Sequence, residues 1–298
     1  MNNYYIAGNR GLVGTNYSNR ISNSVGGNTS NCDYTDLSST DTHITAQPIT
    51  HLILNAATVG GLQDDIDNAF NIYLTNLSIQ NNILKTASKY NIDRLLFQSS
   101  ACAYPDYANH PFEEHELLSS PPNSIYLPTA LPKITGMHQC IAHNNQKGTH
   151  WTTAVCSNMY GPYDRTGEKA HVIGALMKKF IDAVKNNIQS IEIWGDGTQL
   201  RDYIYIDDAV TAMELIINNN EYDVVNVATG TSTSISNIVN MLVSISNYSG
   251  SIIYNTYKPQ GSKAKLINNK KLKNLGWQPT VDMYEGLVKT YRWYYDNI

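Results

Sequence analysis

The sequence is poor in charge and in cysteine, and it contains no long apolar run. Charged residues make up 15% of its 298 residues and the formal net charge is −4, so the composition gives no reason to expect a nucleic acid or an anionic membrane surface as partner. The four cysteines, Cys32, Cys102, Cys140 and Cys156, are scattered without a CxxC pair. This spacing argues against a disulfide framework and against a metal site such as zinc. No apolar stretch approaches the length of a membrane span.

The first residues, MNNYYIAGN, have the pattern of a short apolar strand that runs into a glycine turn. They lack the charged region and the cleavage site of a secretory signal. Together with the unpaired cysteines, this pattern leads us to expect a cytoplasmic protein with reduced thiols. The length suffices for one large α/β domain or two closely joined lobes with a real core.

Short apolar runs alternate with longer helical patterns along the first half of the chain. The pattern predicts strands over residues 4–7, 51–55, 94–98 and 153–157, and helices over 67–89 and 133–143. This alternation predicts a Rossmann-type, doubly wound parallel α/β sheet. We expect an NADP-binding domain over residues 1–162 and, over 163–298, a smaller α/β substrate lobe, part of which (195–230) packs back on the first domain. The elements predicted in that lobe are helices over 171–184, 207–217 and 283–295 and strands over 191–194 and 224–227.

A glycine turn follows the first strand directly and opens a helical stretch. Glycine allows the tight turn, lets the backbone approach a pyrophosphate and permits close helix–strand packing, while the helix N-terminus faces the phosphates. The GxxGxxG spacing alone is a weak signal, but its position at the first strand–helix junction indicates a dinucleotide site. The residues of this turn are Gly8, Asn9, Arg10, Gly11, Leu12, Val13 and Gly14.

The residues around this turn favour NADP over NAD. Arg10 lies inside the turn, where a guanidinium group can reach a ribose 2′-phosphate, although it could equally be a plain surface arginine. An acidic residue that binds a free 2′-hydroxyl is expected after the second strand, but residues 28–33 offer asparagine and cysteine before Asp33. We therefore expect NADPH as the cofactor.

Further motifs extend over nearly the whole chain: LNAATVGGL (54–62), NLSIQNN (76–82), SSACAYP (99–105), SNMYGPYD (157–164), AHVIGALMKKF (170–180), WGDGTQLRDYIYIDD (194–208), NVATG (226–230) and LGWQP (275–279). With GNRGLVG (8–14), they resemble the extended short-chain dehydrogenase/reductases and, within these, the GDP-L-fucose synthase family. The VGG and AHVI motifs are the most specific of them. The resemblance implies NADPH-dependent 3,5-epimerisation and 4-reduction of GDP-4-keto-6-deoxy-D-mannose.

The resemblance also implies roles for individual residues. Ser100 matches the serine that binds the ketone oxygen, Cys102 and His171 match the base and acid of epimerisation, and Lys133 matches the lysine that holds the nicotinamide ribose. A lone cysteine or histidine more often has a packing role. The other positions that match cofactor contacts are Asn55, Ala56, Ala57, Ser99, Ser157, Asn158 and Met159, with His171 counted among them as well.

A third group matches substrate contacts of the family. Val59 lies in the LNAATVGGL motif after the strand predicted over 51–55. Trp194 and Arg201 match residues that hold the sugar nucleotide, and Lys179 stands where the family has an arginine. Arg201 can grip a pyrophosphate with two parallel hydrogen bonds. Alternatively, Arg201 forms a salt bridge to Asp202 or Asp207 and does not bind the substrate. The six lysines within residues 258–273 could face an anionic ligand or simply be solvated.

The family tyrosine is missing. The family motif Tyr-x-x-x-Lys reads Thr129-Ala-Leu-Pro-Lys133 here, and an aliphatic hydroxyl is a much weaker acid than a phenol. Tyr126, three residues upstream, could swing inward as the proton donor, or it could be a loop aromatic. Water relayed through Ser100 and Thr129 is a third route.

The missing tyrosine leaves several functions open. The chain could carry out the full family reaction, epimerise only, reduce another 4-keto-6-deoxy nucleotide sugar, or bind nucleotide without catalysis. Retention of Ser100, Cys102, Lys133 and His171 together argues against a pure binding protein. The resemblance further implies a homodimer, for which the helices around 67–89 and 133–147 are candidate contacts.

Overall fold

The computed structural model of the protein describes residues 2–60, 62–106, 110–167, 170–258 and 262–298. Its strands are β1 (Tyr4–Ala7), β2 (Ser24–Gly27), β3 (His51–Leu54), β4 (Arg94–Ser100), β5 (His150–Cys156), β6 (Asn158–Tyr160), β7 (Ser190–Trp194), β8 (Leu200–Arg201), β9 (Tyr203–Tyr205), β10 (Val224–Val227), β11 (Thr233–Ser234), β12 (Ser251–Asn255) and β13 (Ala264–Lys265). Its α-helices are α1 (Leu12–Arg20), α2 (Leu37–Thr45), α3 (Leu62–Asp67), α4 (Ala69–Lys89), α5 (Leu127–Lys147), α6 (Val172–Lys185), α7 (Ile206–Ile217), α8 (Ile235–Ser246), α9 (Lys270–Asn274) and α10 (Met283–Asn297).

The central sheet has six parallel strands in the order β10-β5-β4-β3-β1-β2. From β1, the chain first builds outward to β2 and then returns to β3 on the other side. The strand order therefore reverses between β1 and β3, and ligands of such sheets bind at this point, beyond the carboxyl ends of the strands. The glycine turn follows β1 and the segment beginning with Asn55 follows β3, so both lie there.

Helices cover both faces of the sheet, as the predicted doubly wound α/β fold requires. On one face, Val13 and Tyr17 of α1 pack in a core with Met213 of α7. On the other face, Ile44 of α2 and Ile83 of α4 belong to a second core. These apolar faces hold the sheet rigid, so the loops at its carboxyl edge have a fixed scaffold.

The helix predicted over 67–89 is α4, which begins at Ala69 and ends at Lys89, and the structure adds the short helix α3 before it. The helix predicted over 133–143 is α5, which begins at Leu127 and carries Pro128 in its first turn. The first backbone N–H groups of a helix have no acceptor within the helix, so a proline there costs no hydrogen bond.

The C-terminal part of the chain forms three small sheets, β11-β8-β13, β12-β7 and β6-β9. Strand β10 returns to the central sheet beside β5, and α7 packs against that sheet. Within the described residues, no helix combines the length and the apolar character needed to cross a membrane.

Candidate active site

The glycine turn after β1 has the geometry of a phosphate cradle. Gly8 has φ +86°, and a Cβ there would lie 2.9 Å from the backbone nitrogen of Ala56. A Cβ on Gly14 would lie 2.1 Å from the Gly8 carbonyl oxygen, so α1 approaches the turn as closely as only glycine allows. Gly11 is the N-cap residue of α1 and has no side chain that could cap the helix. The first N–H groups of α1 therefore point towards a ligand position.

The end of β2 carries amides where a carboxylate would bind a 2′-hydroxyl. Asn28 donates from Nδ2 to Oδ1 of Asn9 at 2.8 Å, which places Asn28 against the glycine turn. The carboxylate of Asp33 accepts from the backbone and hydroxyl of Thr35. Arg10 is exposed at the tip of the turn. The side chains of Asn9, Arg10 and Asn28 are thus neutral or cationic, an environment that suits a phosphate better than a bare hydroxyl.

The segment after β3 contains a buried polar side chain with no protein partner. Nδ2 and Oδ1 of Asn55 are both buried, and neither has a hydrogen-bond partner among the described residues. Asn76 of α4 fixes the next part of the segment, because it accepts from the Thr58 nitrogen at 2.7 Å and donates to the Thr58 carbonyl at 3.0 Å. An amide that is desolvated without a partner is costly, and a ligand in this crevice would relieve that cost.

Strand β4 ends at the candidate acid–base residues. Ser100 precedes a short 3₁₀ turn, Ala101–Ala103, and its hydroxyl accepts from the Cys102 nitrogen at 3.4 Å. The Cys102 thiol lines a narrow cavity that Lys265 also lines. Burial raises the pKa of the Cys102 thiol, Lys265 and Lys133 oppose this shift, and Asp65 adds to it. The thiol is therefore neutral until a ligand or a nearby cation stabilises the thiolate.

Lys133 is buried beneath this site. Its Nζ donates to the main-chain carbonyl of Gln98 at 2.7 Å and lies 5.2 Å from the centre of the Phe97 ring. Burial lowers the pKa of Lys133 to about 8. The ammonium group is thus held by β4 in a dry environment, where a cation strongly polarises neighbouring oxygens.

Thr129 lies one turn before Lys133 on α5 and contacts a carboxyl group. Its Oγ1 donates to Oδ1 of Asp65 on α3 at 2.9 Å. Asp65 is 8% exposed, and this burial raises its pKa. Neither the glycine turn nor the other motifs of the sequence single out Asp65. Its place is defined only by the packing of α3 against the beginning of α5.

Tyr126 and two cations form the opposite wall. Nζ of Lys265 lies 4.2 Å from the centre of the Tyr126 ring. Lys265 on β13 is the register partner of Arg201 on β8, so the two cations lie side by side. Burial lowers the pKa of Lys265, and the charge of Arg201 lowers it further. Adjacent, desolvated cations of this kind bind an anionic ligand such as a diphosphate.

The acidic neighbours of Arg201 are engaged elsewhere. Asp202 accepts hydrogen bonds from the Thr229 hydroxyl and from the nitrogens of Thr229 and Gly230. Burial raises the pKa of Asp207, and the charge of Lys289 opposes this shift. The alternative of an Arg201 salt bridge to either carboxylate therefore finds no support, and Asp202 instead holds the turn after β10.

The remaining predicted residues lie around the same crevice or beyond it. Ser157 is buried after β5, and Asn158 on β6 donates to the Asp202 carbonyl at 3.0 Å. His171 immediately precedes α6 and is exposed. Burial raises the pKa of Asp65 and of Asp164, and the charge of His171 opposes both shifts.

The substrate candidates outside this cluster have different surroundings. Trp194 is 47% exposed, and the ammonium of Lys258 lies 5.3 Å from its ring. Lys179 donates to the Glu192 carbonyl at 2.6 Å, and the Val59 carbonyl accepts from Arg165. Gly61 of the VGG motif lies outside the described residues. The structure brings Ser100, Cys102, Lys133, Thr129 and Tyr126 to one place, while Trp194 and Lys179 lie on β7 and α6.

Sequence reasoning alone missed two residues of the site, Asp65 and Lys265. Lys265 belongs to the lysine-rich stretch 258–273, so a weak signal existed for it. The register of β13 against β8 selects Lys265 from that stretch. Lys271, by contrast, donates to the Val224 carbonyl at the edge of the central sheet.

Comparison with known proteins gives a consistent result. The model of a family described as "NAD dependent epimerase/dehydratase family" matches residues 4–228. The chain is 32% identical over 302 residues to "Probable GDP-L-fucose synthase 1" of Oryza sativa subsp. japonica, a match that covers 99% of this chain and 92% of the relative. It is 32% identical over 247 residues to the GDP-L-colitose synthase of Yersinia pseudotuberculosis, with 82% of this chain and 80% of the relative covered. A solved structure of the GDP-mannoheptose C4 reductase from Campylobacter jejuni with NADP bound has a TM-score of 0.86 and 26% identity, with 98% of both chains covered.

Proposed function

Because the chain belongs to the NAD dependent epimerase/dehydratase family, we propose that it converts GDP-4-keto-6-deoxy-D-mannose into GDP-L-fucose with NADPH, by epimerisation at C3 and C5 and reduction at C4. Its relatives are nucleotide-sugar epimerases and reductases. The observation that carries the proposal is the meeting of Ser100, Cys102, Thr129 and Lys133 where β4 ends and α5 begins, beside the crevice at the point where the strand order reverses.

The crevice fits a nicotinamide dinucleotide. The Gly8 and Gly14 contacts leave no room for a Cβ, the N-terminus of α1 is open, and the buried amide of Asn55 needs a partner. Arg10 would bind the 2′-phosphate. When bound, the cofactor supplies a hydride for the ketone carbon. The other residues that would hold it are Asn9, Gly11, Leu12, Val13, Ala56, Ala57, Ser99, Lys133, Ser157, Asn158, Met159 and His171.

Epimerisation needs a base and an acid on opposite sides of the sugar. A C4 ketone acidifies the C–H bonds at C3 and C5, because the carbanion delocalises onto the ketone oxygen. Cys102 would act as the base once its thiolate forms beside Lys265, and His171 would return the proton from the other side. Ser100 would donate a hydrogen bond to the ketone oxygen and stabilise its developing negative charge.

Reduction needs a proton for the C4 oxygen after hydride arrives at the carbon. Lys133, held by the Gln98 carbonyl, would bind the nicotinamide ribose and favour anionic character in a neighbouring hydroxyl. Thr129 and Tyr126 are the candidate donors along the wall of the site. Their contacts differ: Thr129 bonds to a buried carboxyl, whereas Tyr126 packs against Lys265.

The diphosphate of the substrate would bind the cation pair of Arg201 and Lys265. A guanidinium offers two parallel hydrogen bonds to a phosphate, and the second cation adds charge at short range. Trp194, Lys179 and Val59 would contact the remaining parts of the sugar nucleotide. Lys179 is a point charge where the family has a planar fork, so this contact would be less directional.

An epimerase that reduces poorly, or a reductase of another 4-keto-6-deoxy nucleotide sugar, is the second candidate function. It is favoured by Thr129 at the tyrosine position, and by relatives that are a GDP-L-colitose synthase and a GDP-mannoheptose C4 reductase. A non-catalytic nucleotide-binding protein is the third. We further propose a homodimer formed through α4 and α5, because Phe70 and Leu74 of α4 are 73% and 46% exposed.

The test is NADPH absorbance with enzymatically prepared GDP-4-keto-6-deoxymannose, followed by identification of the product. Steady oxidation with fucose-configured product would support the full reaction. Deuterium exchange at C3 and C5 in heavy water, measured without turnover, separates the alternatives. Exchange without NADPH oxidation would mean an epimerase, and absence of both, with NADPH bound, would mean a binding protein or another substrate.

A further inference from the structure

The proposed reduction requires a proton donor for the C4 oxygen near the beginning of α5. The inference about the identity of this donor rests on the proposed function. A ketone that accepts hydride at carbon must receive a proton at oxygen. A phenol has an ordinary pKa of about 10 and can be brought nearer neutrality by a cation, but an aliphatic hydroxyl is a much weaker acid. Thr129 alone is therefore a poor source of the proton, although its hydroxyl can pass one on.

The Thr129 hydroxyl is hydrogen-bonded to an acid. Oγ1 of Thr129 and Oδ1 of Asp65 are 2.9 Å apart, a normal distance for a hydrogen bond between two oxygens. Lys133 lies one helical turn further along α5 on the same face as Thr129. The hydroxyl is thus bonded to the Asp65 carboxyl, and it projects from the face of α5 that also carries Lys133.

Burial and a neighbouring carboxylate both favour the protonated form of Asp65. Burial raises the pKa of its carboxyl, and the neighbouring Asp64 of α3 raises it further. The hydrogen bond from Thr129 and the charge of His171 at the start of α6 oppose this shift. Asp65 also raises the pKa of Cys102 and, with the Cys102 thiolate, that of Tyr126. An ionised Asp65 would disfavour the thiolate, so the neutral carboxylic acid is the form compatible with epimerisation.

We propose that Asp65 and Thr129 together replace the missing phenol, with Asp65 as the proton source and Thr129 as the relay. Asp65, as a carboxylic acid, donates its proton to Thr129 Oγ1, while Thr129 passes its own hydroxyl proton to the C4 oxygen. The hydride that a bound cofactor would supply brings the electron pair of the new C–H bond, and the carbonyl π pair would form the new O–H bond. Asp65 is left as a carboxylate and regains its proton from solvent before the next turnover.

The competing donor, Tyr126, is less well placed. Its ring lies under the ammonium of Lys265 at 4.2 Å, on the wall with Arg201. Burial raises the pKa of its phenol, and Arg201 opposes that shift. Asp65 and Cys102 also raise the pKa of the Tyr126 phenol. The Asp65–Thr129 pair, by contrast, is already joined by a hydrogen bond.

The test uses Asp65→Asn, which keeps the size of the side chain and its ability to accept from Thr129 but removes the acid. We expect kcat for NADPH oxidation to fall at least about 100-fold, as for loss of a general acid, with NADPH still bound. In the wild type, the rate should fall as the pH rises through the Asp65 pKa, and in Asp65→Asn the residual rate should lose this dependence. Asp67→Asn, on the exposed side of the same helix, is the matched control and should keep the full rate.

A second variant separates a proton source from a structural tie. Thr129→Tyr restores a phenol at this position, and in the Asp65→Asn background it should recover the reduction rate by at least about 10-fold. Asp65→Asn at the wild-type rate would overturn the proposal. The proposal would also be overturned if Asp65→Asn lost the reduction rate but kept the pH profile of the wild type, and Thr129→Tyr did not recover that rate. If the wild type itself fails to oxidise NADPH with any keto sugar nucleotide, the proposed function is wrong and the relay is wrong with it.

Discussion

The ammonium nitrogen of Lys265 lies 4.2 Å from the centre of the Tyr126 ring. This contact joins β13 to the segment that begins α5. The cation also borders the cavity in front of Cys102 and stands beside Arg201. One lysine thus links the candidate diphosphate site to the candidate base, and its ammonium group packs against the Tyr126 ring.

Replacement of Tyr126 by phenylalanine tests the two candidate donors against each other. The ring and its contact with Lys265 remain, and only the phenol hydroxyl is lost. If Asp65 and Thr129 supply the proton, we expect kcat for NADPH oxidation to stay within about 3-fold of the wild type, with a modest rise in KM for the sugar nucleotide. Steady-state kinetics measure both. Loss of reduction in Tyr126→Phe would identify Tyr126 as the donor instead.

Replacement of Cys102 by serine should stop epimerisation selectively. A serine hydroxyl is too weak an acid to become an alkoxide base, so deuterium exchange at C3 and C5 should fall at least about 100-fold. Burial raises the pKa of the Cys102 thiol, so the wild-type exchange rate should rise with pH until the thiolate is fully formed. Nuclear magnetic resonance of the sugar in heavy water measures this rate.

The matched control for this variant is Cys32→Ser, in the loop after β2 and far along the chain from the epimerisation site. Its thiol already lies beside Ser39, so a hydroxyl is tolerated there, and exchange should proceed at the wild-type rate. Exchange that persists in Cys102→Ser would assign the base to another residue.

The fold could largely be predicted from the sequence, because its strands are short buried apolar runs bounded by turn residues. The runs YYIA and VVNV are β1 and β10 with the predicted limits. Helix α4 was predicted, but the short helix α3 before it was not, because LQDDID is too short to show a helical period. Pro128 and Pro132 indicate that α5 begins in this segment, and Pro128 does lie in its first turn, although the limit predicted at residue 133 was too late.

The site likewise contains residues that the sequence locates and residues that it does not. Residues in motifs, such as Gly8 and Ser100, can be located from the sequence alone. Asp65 cannot, because LQDDID offers three aspartates, and only tertiary packing buries Asp65 against Thr129 while leaving Asp67 exposed. Lys265 is one lysine of six in its stretch and is selected by strand register. Contacts of this kind depend on long-range packing, about which a local pattern carries no information.

Replacement of Arg10 by alanine should discriminate between the two nicotinamide cofactors. If Arg10 binds the 2′-phosphate, its loss removes a charge-assisted hydrogen bond worth about 1.5–3 kcal/mol. We expect KM for NADPH to rise about 10-fold or more and KM for NADH to change little, and steady-state kinetics with both cofactors measure this. The control is Arg20→Ala on α1, whose side chain pairs with Glu214. An equal effect of Arg10→Ala on both cofactors would remove the case for NADP.

The exposed apolar residues of α4 predict a dimer contact. Phe70 and Leu74 lie one turn apart and are 73% and 46% exposed. A buried phenylalanine contributes about 2–3 kcal/mol, and a twofold interface contains it twice. Phe70→Asp should therefore convert a dimer into monomers, as measured by sedimentation velocity. Tyr257→Asp, which changes a 99% exposed aromatic in the loop after β12, should leave the assembly unchanged. A wild-type monomer would contradict the dimer altogether.

Replacement of Lys133 by methionine should separate activity from stability. Reduction should fall at least about 100-fold, because the cation beside the donor is lost, whereas Lys147→Met at the exposed end of the same helix should remain active.

The folded pKa of Lys133 is about 8, below its ordinary 10.5, so its protonation favours unfolding. This cost is fully present below pH 8 and disappears as the pH rises towards 10.5. It is on the order of 3 kcal/mol at most, since one pKa unit is worth about 1.4 kcal/mol, and the lost bond to Gln98 offsets part of the gain. We therefore expect Lys133→Met to unfold at the same or a higher temperature than the wild type at pH 7, with this advantage lost near pH 10. Calorimetry at the two pH values measures it, and a variant that is less stable at pH 7 and relatively more stable at pH 10 would contradict a lowered pKa.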